Sequence, residues 1–219
     1  IGVSFINEDN LIKLNKINYC SNDIVLEQDY SSLANFAVLG ALKGKVIFED
    51  LNLTSLQGDK KILEILMDGR AKIDFFQNEV CFSSSIIKGQ TISLKDCIDL
   101  GPILFVLASY SYGKTTFINF SRLIYKESNR LKCMFDELKK ANVDINIVDD
   151  EVIINGKASY EGGYHFLSYN DHRICMALTI FSVLSKGNCI IDGEECVKKS
   201  YPHFFEDLFS LRSQNENNC

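Results

Sequence analysis

The chain has 219 residues, of which 46% are hydrophobic and 24% are charged, and its formal net charge is −6 at pH 7. This composition is typical of one globular domain, or of two small ones, with a sizeable core. No cluster of Lys and Arg offsets the acidic balance, which argues against nucleic acid as a main partner, and no apolar run approaches the roughly 20 residues of a membrane span.

Eight cysteines are scattered singly along the chain, and no two of them form a Cys-x-x-Cys pair. The chain has only three histidines, which are too few to complete zinc sites with these thiols. The pattern therefore predicts reduced, buried thiols in a cytoplasmic protein, and it indicates neither a disulfide framework nor a metal site. The cysteines lie at positions 20, 81, 97, 133, 175, 189, 196 and 219.

Residues 1–27 alternate between apolar and polar side chains, which predicts two or three strands with turns near residues 7–10 and 21–23. The first residue, Ile1, is not an initiator Met, and no signal peptide follows it. We interpret this segment as the middle of a longer chain.

A pattern that occurs three times begins after this segment. In each copy a polar capping signal precedes an apolar helix, a glycine ends that helix, and a strand and a second helix follow. The first copy has a helix opened by residues 29–32 and running through Leu42, a stop at Gly44, a strand at 46–48, a second helix opened by residues 55–59 that buries Ile62, Leu63, Leu66 and Met67, and strands near 71–75 and 79–82.

The second copy opens at Asp99, with Pro102 in the first helical turn, where its missing N–H costs nothing. The third copy opens at residues 170–173 and ends in a polar tail, residues 214–218, which we predict to be disordered. The second copy has a helix to Gly113, a strand at 115–120, a second helix at 127–141 and strands near 144–148 and 152–154; the third has a helix to Gly187, a strand at 189–192 and a second helix that starts at 199–202.

The glycines that end the first helices, Gly44, Gly113 and Gly187, are 69 and 74 residues apart. This spacing exceeds the period of common solenoid repeats. We therefore predict an α+β fold in which repeated βαβαββ units close about a pseudo-threefold axis, with the helices inside and the sheets outside. The third unit lacks its closing pair of strands.

Such an arrangement brings the starts of the helices to one surface, which carries Lys126, Arg130, Arg173 and Lys199 besides His172. Lys126 and Arg130 stand out because cations oppose the positive end of a helix dipole. Free backbone N–H groups and cations together suit a phosphate or a carboxylate. The predicted ligand is a small molecule with several negative charges.

Two carboxylates belong to the same surface, and each has two interpretations. Asp99 is a helix N-cap or a functional carboxylate, and Glu127 is a dipole partner in the first helical turn or a functional carboxylate.

Five strings of residues carry a resemblance to a known family. They are Ser-Leu-Gln-Gly-Asp at 55–59, Asp-Leu-Gly-Pro at 99–102, Lys-Glu-Ser-Asn-Arg at 126–130, Tyr-Asn-Asp-His-Arg at 169–173 and Lys-Ser-Tyr-Pro at 199–202. In their order and spacing the chain resembles, over essentially its whole length, the C-terminal half of the 5-enolpyruvylshikimate-3-phosphate synthase family.

The resemblance implies an inside-out αβ globe, one of two in a monomeric enzyme whose active site lies between them. It implies transfer of the enolpyruvyl group of phosphoenolpyruvate to the 5-hydroxyl of shikimate 3-phosphate, without a cofactor. Residues 28–212 would form the C-terminal globe, residues 1–27 the end of the N-terminal globe and the crossover, and residues 213–219 a polar tail.

The resemblance also implies roles for six residues. Asp99 would bind the shikimate hydroxyls and act as a base, and Glu127 would donate a proton to the methylene carbon, which requires a raised pKa. Lys126 would contact the phosphate of shikimate 3-phosphate. Phosphoenolpyruvate would be held by Arg130, Arg173 and Lys199.

The sequence departs from the family's pattern at two positions and in one larger respect. Asn129 stands where the family usually has Asp, which removes an expected partner of Arg130, and Ile124 stands where the family often has Arg. The family's N-terminal globe is not in this sequence, so the resemblance implies a chain that acts with that half and is inactive alone. Two alternatives stay open, namely a relative of UDP-N-acetylglucosamine enolpyruvyl transferase and a non-catalytic anion-binding half-module.

Overall fold

The computed structural model describes residues 5–8, 11–14, 23 and 26–216 of the chain. These residues contain six α-helices, α1 (Tyr30–Leu42), α2 (Lys61–Asp68), α3 (Gly101–Tyr110), α4 (Arg130–Lys140), α5 (His172–Leu184) and α6 (Phe204–Glu216). They also contain eleven strands, β1 (Phe5–Glu8), β2 (Leu11–Leu14), β3 (Lys45–Glu49), β4 (Lys72–Phe75), β5 (Glu79–Ser83), β6 (Thr91–Ser93), β7 (Gly113–Ile118), β8 (Asp144–Val148), β9 (Glu151–Gly156), β10 (His165–Leu167) and β11 (Ile190–Asp192).

Helices α1, α3 and α5 form the centre of the molecule and contact one another. Their sequences are mainly apolar and have no broad polar face, and in α3 every residue from 101 to 109 is buried. A helix that is hydrophobic all round is stable only when neighbours surround it. The three first helices of the repeats are therefore the core, as the sequence predicts.

Sheets lie outside this core. Strands β3, β5 and β4 form an antiparallel sheet in that order, and β6, β7, β9 and β8 form a second sheet in which only β6 and β7 run parallel. Strands β10 and β11 form a parallel pair. Strand β9 buries Val152 and Ile154 and exposes Asn155, so one face of the sheet packs inward. The predicted α+β globe of repeated units is thereby confirmed, with β6 to β9 as the complete βαβαββ unit.

Local signals in the sequence place several helix ends correctly. Asp29 caps α1 by accepting hydrogen bonds from the N–H groups of Ser31 and Ser32, and Pro102 lies in the first turn of α3. Gly44 and Gly113 follow α1 and α3 with φ angles of 100° and 90°, which only glycine adopts without strain.

The second helices begin later than predicted. Helix α4 starts at Arg130 rather than at residue 127, because the side chain of Asn129 accepts a hydrogen bond from the N–H of Lys132 and caps the helix there. A 3₁₀ turn precedes the second helix in each repeat, and such a turn has no 3.6-residue period to reveal it. These turns span Gly58–Lys60, Ser121–Tyr125 and Glu194–Lys199.

Three smaller expectations also differ from the structure. Met67 is 46% exposed and Ile65 is buried instead, because Ile65, three residues after Ile62, lies on the buried face of α2. Helix α3 ends at Tyr110, three residues before Gly113. Strands β6 and β10 are three residues each, too short to give an alternation that can be recognised.

The two ends of the chain are described in part. Strands β1 and β2 pair as an antiparallel hairpin, and the other expectations for residues 1–27, including both turns, lie mainly outside the described residues. Helix α6 continues to Glu216, so the backbone is helical where a disordered tail is predicted, in a stretch that contains the good helix formers Gln214 and Glu216. Residues 217–219 lie outside the described part.

Six cysteines fall within the described residues, and all six are free thiols. Five of them are buried and Cys189 is partly exposed. Within the same described ranges, no helix is long and apolar enough to cross a membrane.

Candidate active site

The helix starts of all three repeats meet at one end of the core. In the first repeat, the N–H of Tyr30 donates to Gln57 Oε1 over 3.0 Å, and Ser31 Oγ forms a very short hydrogen bond with Asp59. The 3₁₀ turn that contains Asp59 contacts the 3₁₀ turn that contains Asp99, at the start of α3. Residues at the starts of α3, α4 and α5 are joined by the ion pairs described next. The predicted gathering of helix starts is therefore present.

Arg130, the first residue of α4, links the start of α4 to the starts of α3 and α5. Its Nε and one terminal nitrogen donate to Asp171 over 2.7 and 3.2 Å, and its other terminal nitrogen donates to Asp99 Oδ1 over 2.7 Å. Arg130 is only 2% exposed and Asp171 is fully buried. Two carboxylates thus stabilise a buried guanidinium at a helix start, where the helix dipole alone would disfavour it.

Asp171 also serves as the cap of α5. Its Oδ1 accepts a hydrogen bond from the N–H of Arg173 over 3.0 Å, and its Oδ2 accepts one from Ser128 Oγ over 3.0 Å. Burial raises the pKa of Asp171, but the hydrogen bond and charge of Arg130 and the bond from Ser128 outweigh burial, so that the pKa lies below its ordinary value. Asp171 is therefore an ionised anchor between α4 and α5.

The carboxylate of Asp99 forms ion pairs with cationic side chains and does not cap backbone N–H groups. Its Oδ1 lies 2.9 Å from Lys126 Nζ, 2.7 Å from Arg130 and 3.9 Å from Arg173 Nε. The largest influence on its pKa is burial, which raises it, but Lys126, Arg173 and Arg130 together hold the pKa below its ordinary value. Asp99 lies inside a 3₁₀ turn, and neither that turn nor α3 has a side-chain cap. The interpretation of Asp99 as a helix N-cap is wrong.

Glu127 lies outside α4, so its interpretation as a dipole partner in the first helical turn is also wrong. Its Oε2 is 3.2 Å from His172 Nδ1 and 3.9 Å from Lys199 Nζ, and its side chain is partly exposed. Burial is the main cause that lowers the pKa of His172; Arg173 and Arg130 also lower it, and Glu127 and Asp171 oppose this. The lowered pKa favours the neutral form of the imidazole beside Glu127, and the ammonium of Lys199 lies nearby.

Arg173 and Lys199 are the cations of the site with the fewest close contacts to carboxylates. Among the described residues, no side-chain acceptor forms a hydrogen bond with the Arg173 guanidinium, and its nearest carboxylate oxygen is that of Asp99 at 3.9 Å. Lys199 Nζ donates to the backbone oxygen of Asn170 over 2.9 Å, which leaves its remaining N–H groups available. These two cations are the ones best placed to bind an added anion.

A metal ion does not suit this site. Ligand atoms of Glu127, Asp171 and His172 lie within 4.8 Å of one another. Both oxygens of Asp171, however, already accept hydrogen bonds from Arg130, and each accepts one further bond. The donor set is that of a hydrogen-bonded ion-pair network.

All six residues predicted for the site lie on this surface. Asp99 contacts Lys126, Arg130 and Arg173, and Glu127 faces Lys199 across His172. The sequence did not reveal that Asp171 pairs with Arg130, because the two residues are 41 positions apart. Its helix-capping position was the only local signal. Arg130 already has two carboxylate partners, Asp171 and Asp99, while Asn129 caps α4.

Comparison with known proteins gives one consistent result. A family model described as EPSP synthase (3-phosphoshikimate 1-carboxyvinyltransferase) matches residues 7–208. The chain is 41% identical over 201 residues to the 3-phosphoshikimate 1-carboxyvinyltransferase of Clostridium kluyveri, which covers 92% of this chain and 47% of that protein. It is 44% identical over 188 residues to the Clostridium acetobutylicum protein of the same name, with 85% and 43% covered. The chain thus spans about half the length of the curated relatives it matches.

Solved structures agree with these relatives. The structure of EPSP synthase from Acinetobacter baumannii is similar with a TM-score of 0.79 and 28% identity, covering 94% of this chain and 51% of that one. The enolpyruvyl transferase NikO from Streptomyces tendae has a TM-score of 0.67 at 15% identity, with 86% and 44% covered, which supports the fold alone.

Proposed function

The chain belongs to the EPSP synthase family, and we propose that it forms the C-terminal half of an enzyme that transfers the enolpyruvyl group of phosphoenolpyruvate to the 5-hydroxyl of shikimate 3-phosphate. The observation that carries the proposal is the meeting of Asp99, Glu127 and four cations at one end of the core. Both substrates are anions with several charges, and the site supplies cations, helix starts and two carboxylates in an otherwise acidic chain.

In the proposed reaction, the 5-hydroxyl oxygen bonds to C2 of phosphoenolpyruvate while a proton is added to the methylene carbon. The tetrahedral adduct then loses a proton from that carbon as the C–O bond to phosphate breaks, which restores the double bond and releases phosphate. The first step needs a group that orients and deprotonates the hydroxyl and a group that donates a proton. Each step couples bond formation or cleavage at C2 to a proton transfer, and the side chain that donates the proton in the addition can accept it again in the elimination, so no cofactor is needed.

We assign the two carboxylates to these tasks. Asp99 is the group that orients the hydroxyl, since its cationic neighbours keep it ionised and able to accept a hydrogen bond. Glu127 is the proton donor, since it is partly exposed beside His172 and Lys199, through which a proton can be exchanged. Lys126, next to Asp99, binds the phosphate of shikimate 3-phosphate.

We assign the binding of phosphoenolpyruvate to the remaining cations of the site. Arg173 supplies a guanidinium whose fork geometry matches a carboxylate or a phosphate, and Lys199 supplies a mobile ammonium. Arg130 has two N–H groups that its carboxylate partners do not use, and because it is buried its charge is little screened by solvent. Arg130 therefore holds Asp99 in place and adds positive charge to the proposed phosphoenolpyruvate site.

The proposal includes a partner and a location. The other half of the site comes from the N-terminal half of the same enzyme, in a monomer, with residues 28–212 as the C-terminal globe and residues 1–27 as the crossover. A cytoplasmic location is supported by the free thiols of the described cysteines.

Binding and turnover measurements test the proposal. Calorimetric titration should show that the chain binds phosphoenolpyruvate, and that Arg173→Ala and Lys199→Ala weaken this binding while Lys132→Ala, an exposed lysine of α4, leaves it unchanged. Turnover is then assayed with the N-terminal half added, using shikimate 3-phosphate or UDP-N-acetylglucosamine as the acceptor. Exclusive use of the sugar nucleotide would favour the related transferase, and binding without turnover of either acceptor would favour an anion-binding module.

A further inference from the structure

A fully buried carboxylate, Glu137, lies on α4 outside the site described above. It accepts hydrogen bonds from Tyr169 Oη over 2.6 Å, from the N–H of Leu167 over 3.3 Å, and from Lys140 Nζ over 2.8 Å. Lys140 lies on the same helix and its side chain is 45% exposed, so it reaches the carboxylate from the solvent side. The other two donors belong to the segment that leads into α5.

That segment contains a strained turn. Tyr169 and Asn170 have φ angles of 54° and 56°, so two successive residues with side chains adopt the left-handed conformation. This conformation is unfavourable for residues other than glycine, and it persists only where the surrounding structure holds it. The turn directly precedes Asp171, the cap of α5, and the backbone oxygen of Asn170 accepts the hydrogen bond from Lys199.

Helix α4 therefore holds residues 167–171 by hydrogen bonds at two points. Arg130 and Glu137 are seven residues apart, which places them on the same face of the helix. Arg130 holds Asp171, and Glu137 holds Leu167 and Tyr169. The backbone between these two points has little conformational freedom. The start of α5 is therefore fixed, and with it the positions of His172 and Arg173.

We propose that Glu137 is a positioning residue for the anion site, which it serves by holding Tyr169 and with it the left-handed turn. The proposal rests on the proposed function in one respect, namely that Arg173 and Lys199 bind phosphoenolpyruvate. In this proposal Glu137 acts through the turn and not by contacting a substrate. It sets the place of the Asn170 carbonyl, and hence of Lys199, and it sets the start of α5, and hence of Arg173.

The substitution Tyr169→Phe tests the proposal with little risk to folding, because it removes one hydroxyl and keeps the ring. His172 provides a direct readout, since the chain has only three histidines and the other two, His165 and His203, lie on the exposed surface as internal references. The pKa of His172 is followed by proton NMR titration. The groups that face it are Glu127, Asp171, Arg130 and Arg173.

We expect Tyr169→Phe to move the lowered pKa of His172 back toward its ordinary value, because a loosened turn lets water reach the imidazole. The dissociation constant for phosphoenolpyruvate should rise about tenfold, the scale of one lost charge-assisted hydrogen bond. Should the unaltered chain not bind phosphoenolpyruvate, the proposed function fails, and the shift in the His172 pKa still tests the positioning role independently.

Tyr160→Phe is the matched control. Tyr160 is also buried, and its Oη donates to the backbone oxygen of Ser109 over 2.9 Å, near the far end of α3. The substitution Tyr160→Phe should lower the free energy of unfolding without changing the pKa of His172 or the binding of phosphoenolpyruvate. If Tyr169→Phe behaves in the same way, with a lower unfolding midpoint and an unchanged His172, the proposal is overturned.

A second variant, Asn170→Gly, tests the role of strain. Glycine adopts the left-handed conformation without strain, so the turn no longer has to be held at that residue. In this background Tyr169→Phe should shift the pKa of His172 less than it does in the parent chain. An undiminished shift would overturn the assignment of the Glu137–Tyr169 bond to holding the turn.

Discussion

Arg130 occupies the first residue of α4, where a cation opposes the helix dipole. The structure gives the reason for its presence, since Asp171 and Asp99 surround its guanidinium. A buried ion pair adds little stability compared with a well-packed apolar pair, but removal of one partner leaves a buried charge without compensation. This asymmetry makes the pair a sensitive point of the fold.

We predict that Asp171→Asn lowers the free energy of unfolding by about 3–5 kcal/mol, the usual cost of breaking a buried pair. Urea denaturation followed by circular dichroism measures this change. Lys132→Ala is the control, because Lys132 pairs with Asp136 on the surface, where solvent screens the pair and its contribution to stability is small. Equal effects of the two substitutions would show that the buried pair is not specially stabilising.

The lowered pKa of Asp171 also predicts how stability depends on pH. A carboxyl group with a lower pKa in the folded state binds fewer protons there than in the unfolded state, so stability rises with pH between the two pKa values. The contribution of Asp171 is complete above its unfolded pKa of about 3.9 and is lost as the pH falls through its folded pKa. Stability measured from pH 6 downward should fall less steeply below about pH 4 in Asp171→Asn than in the parent chain. Parallel curves would contradict this.

Asp99 and Glu127, the two carboxylates proposed for catalysis, should respond differently to substitution in the complete enzyme. Glu127→Gln should lower kcat by roughly 10²–10⁴, the scale of general acid–base catalysis, with little change in substrate affinity. Asp99→Ala should weaken the binding of shikimate 3-phosphate as well as the rate, because it removes a direct contact and leaves Lys126 and Arg130 without their shared partner. Steady-state kinetics and equilibrium binding separate the two. Normal turnover by both variants would refute the assignment of the site.

At the scale of elements, sequence patterns identify what depends on neighbours along the chain. Asp29, Pro102 and Asp171 mark helix starts by rules that act within four residues, and the apolar central helices are recognisable from composition. The 3₁₀ turns before the second helices are not recognisable, because they lack a hydrophobic period. The contacts of Arg130 and Glu137 depend on partners about 30 or 40 positions away, which no local rule reveals.

The repeat itself predicts equivalent behaviour at equivalent positions. Gly44 and Gly113 both follow a central helix with positive φ, and a methyl group at either would meet open space. Gly44→Ala and Gly113→Ala should therefore each cost about 1–2 kcal/mol from backbone strain alone, without a steric clash. Thermal or urea unfolding measures both, with the exposed neighbour Lys114→Ala as the control. A large cost at one site and none at the other would contradict their equivalence.

At the scale of the whole molecule, the inside-out arrangement places the apolar core and the charged site in different parts of the fold. The core between α1, α3 and α5 depends on apolar side chains, whereas the site uses residues at or just before the helix starts, where free N–H groups and the dipoles are available. A chain with a net charge of −6 can thus present a local cationic surface. This local field would attract the proposed anionic substrates, and it is strongest at the N-terminal ends of the helices.

The last prediction concerns the activity of the 219-residue polypeptide by itself. Its relatives are about twice as long, and the proposed reaction needs phosphoenolpyruvate to be held between two halves. We expect this polypeptide to unfold cooperatively and to bind phosphoenolpyruvate weakly, but to give no measurable release of phosphate with both substrates present. Closure of a site excludes water and fixes the reacting atoms, and half a site can do neither.

Addition of the N-terminal half of a Clostridium relative should then restore phosphate release, with a rate that saturates as that half is increased. The matched control is the Glu127→Gln chain, which should bind the added half equally well and restore little activity, because Glu127 supplies the proton in the proposed step. Ordinary steady-state turnover by the 219-residue polypeptide alone would contradict the two-half site. Equal restoration by the parent and Glu127→Gln chains would show instead that the added half carries the proton donor, and that the carboxylate beside His172 and Lys199 serves only the network that surrounds it.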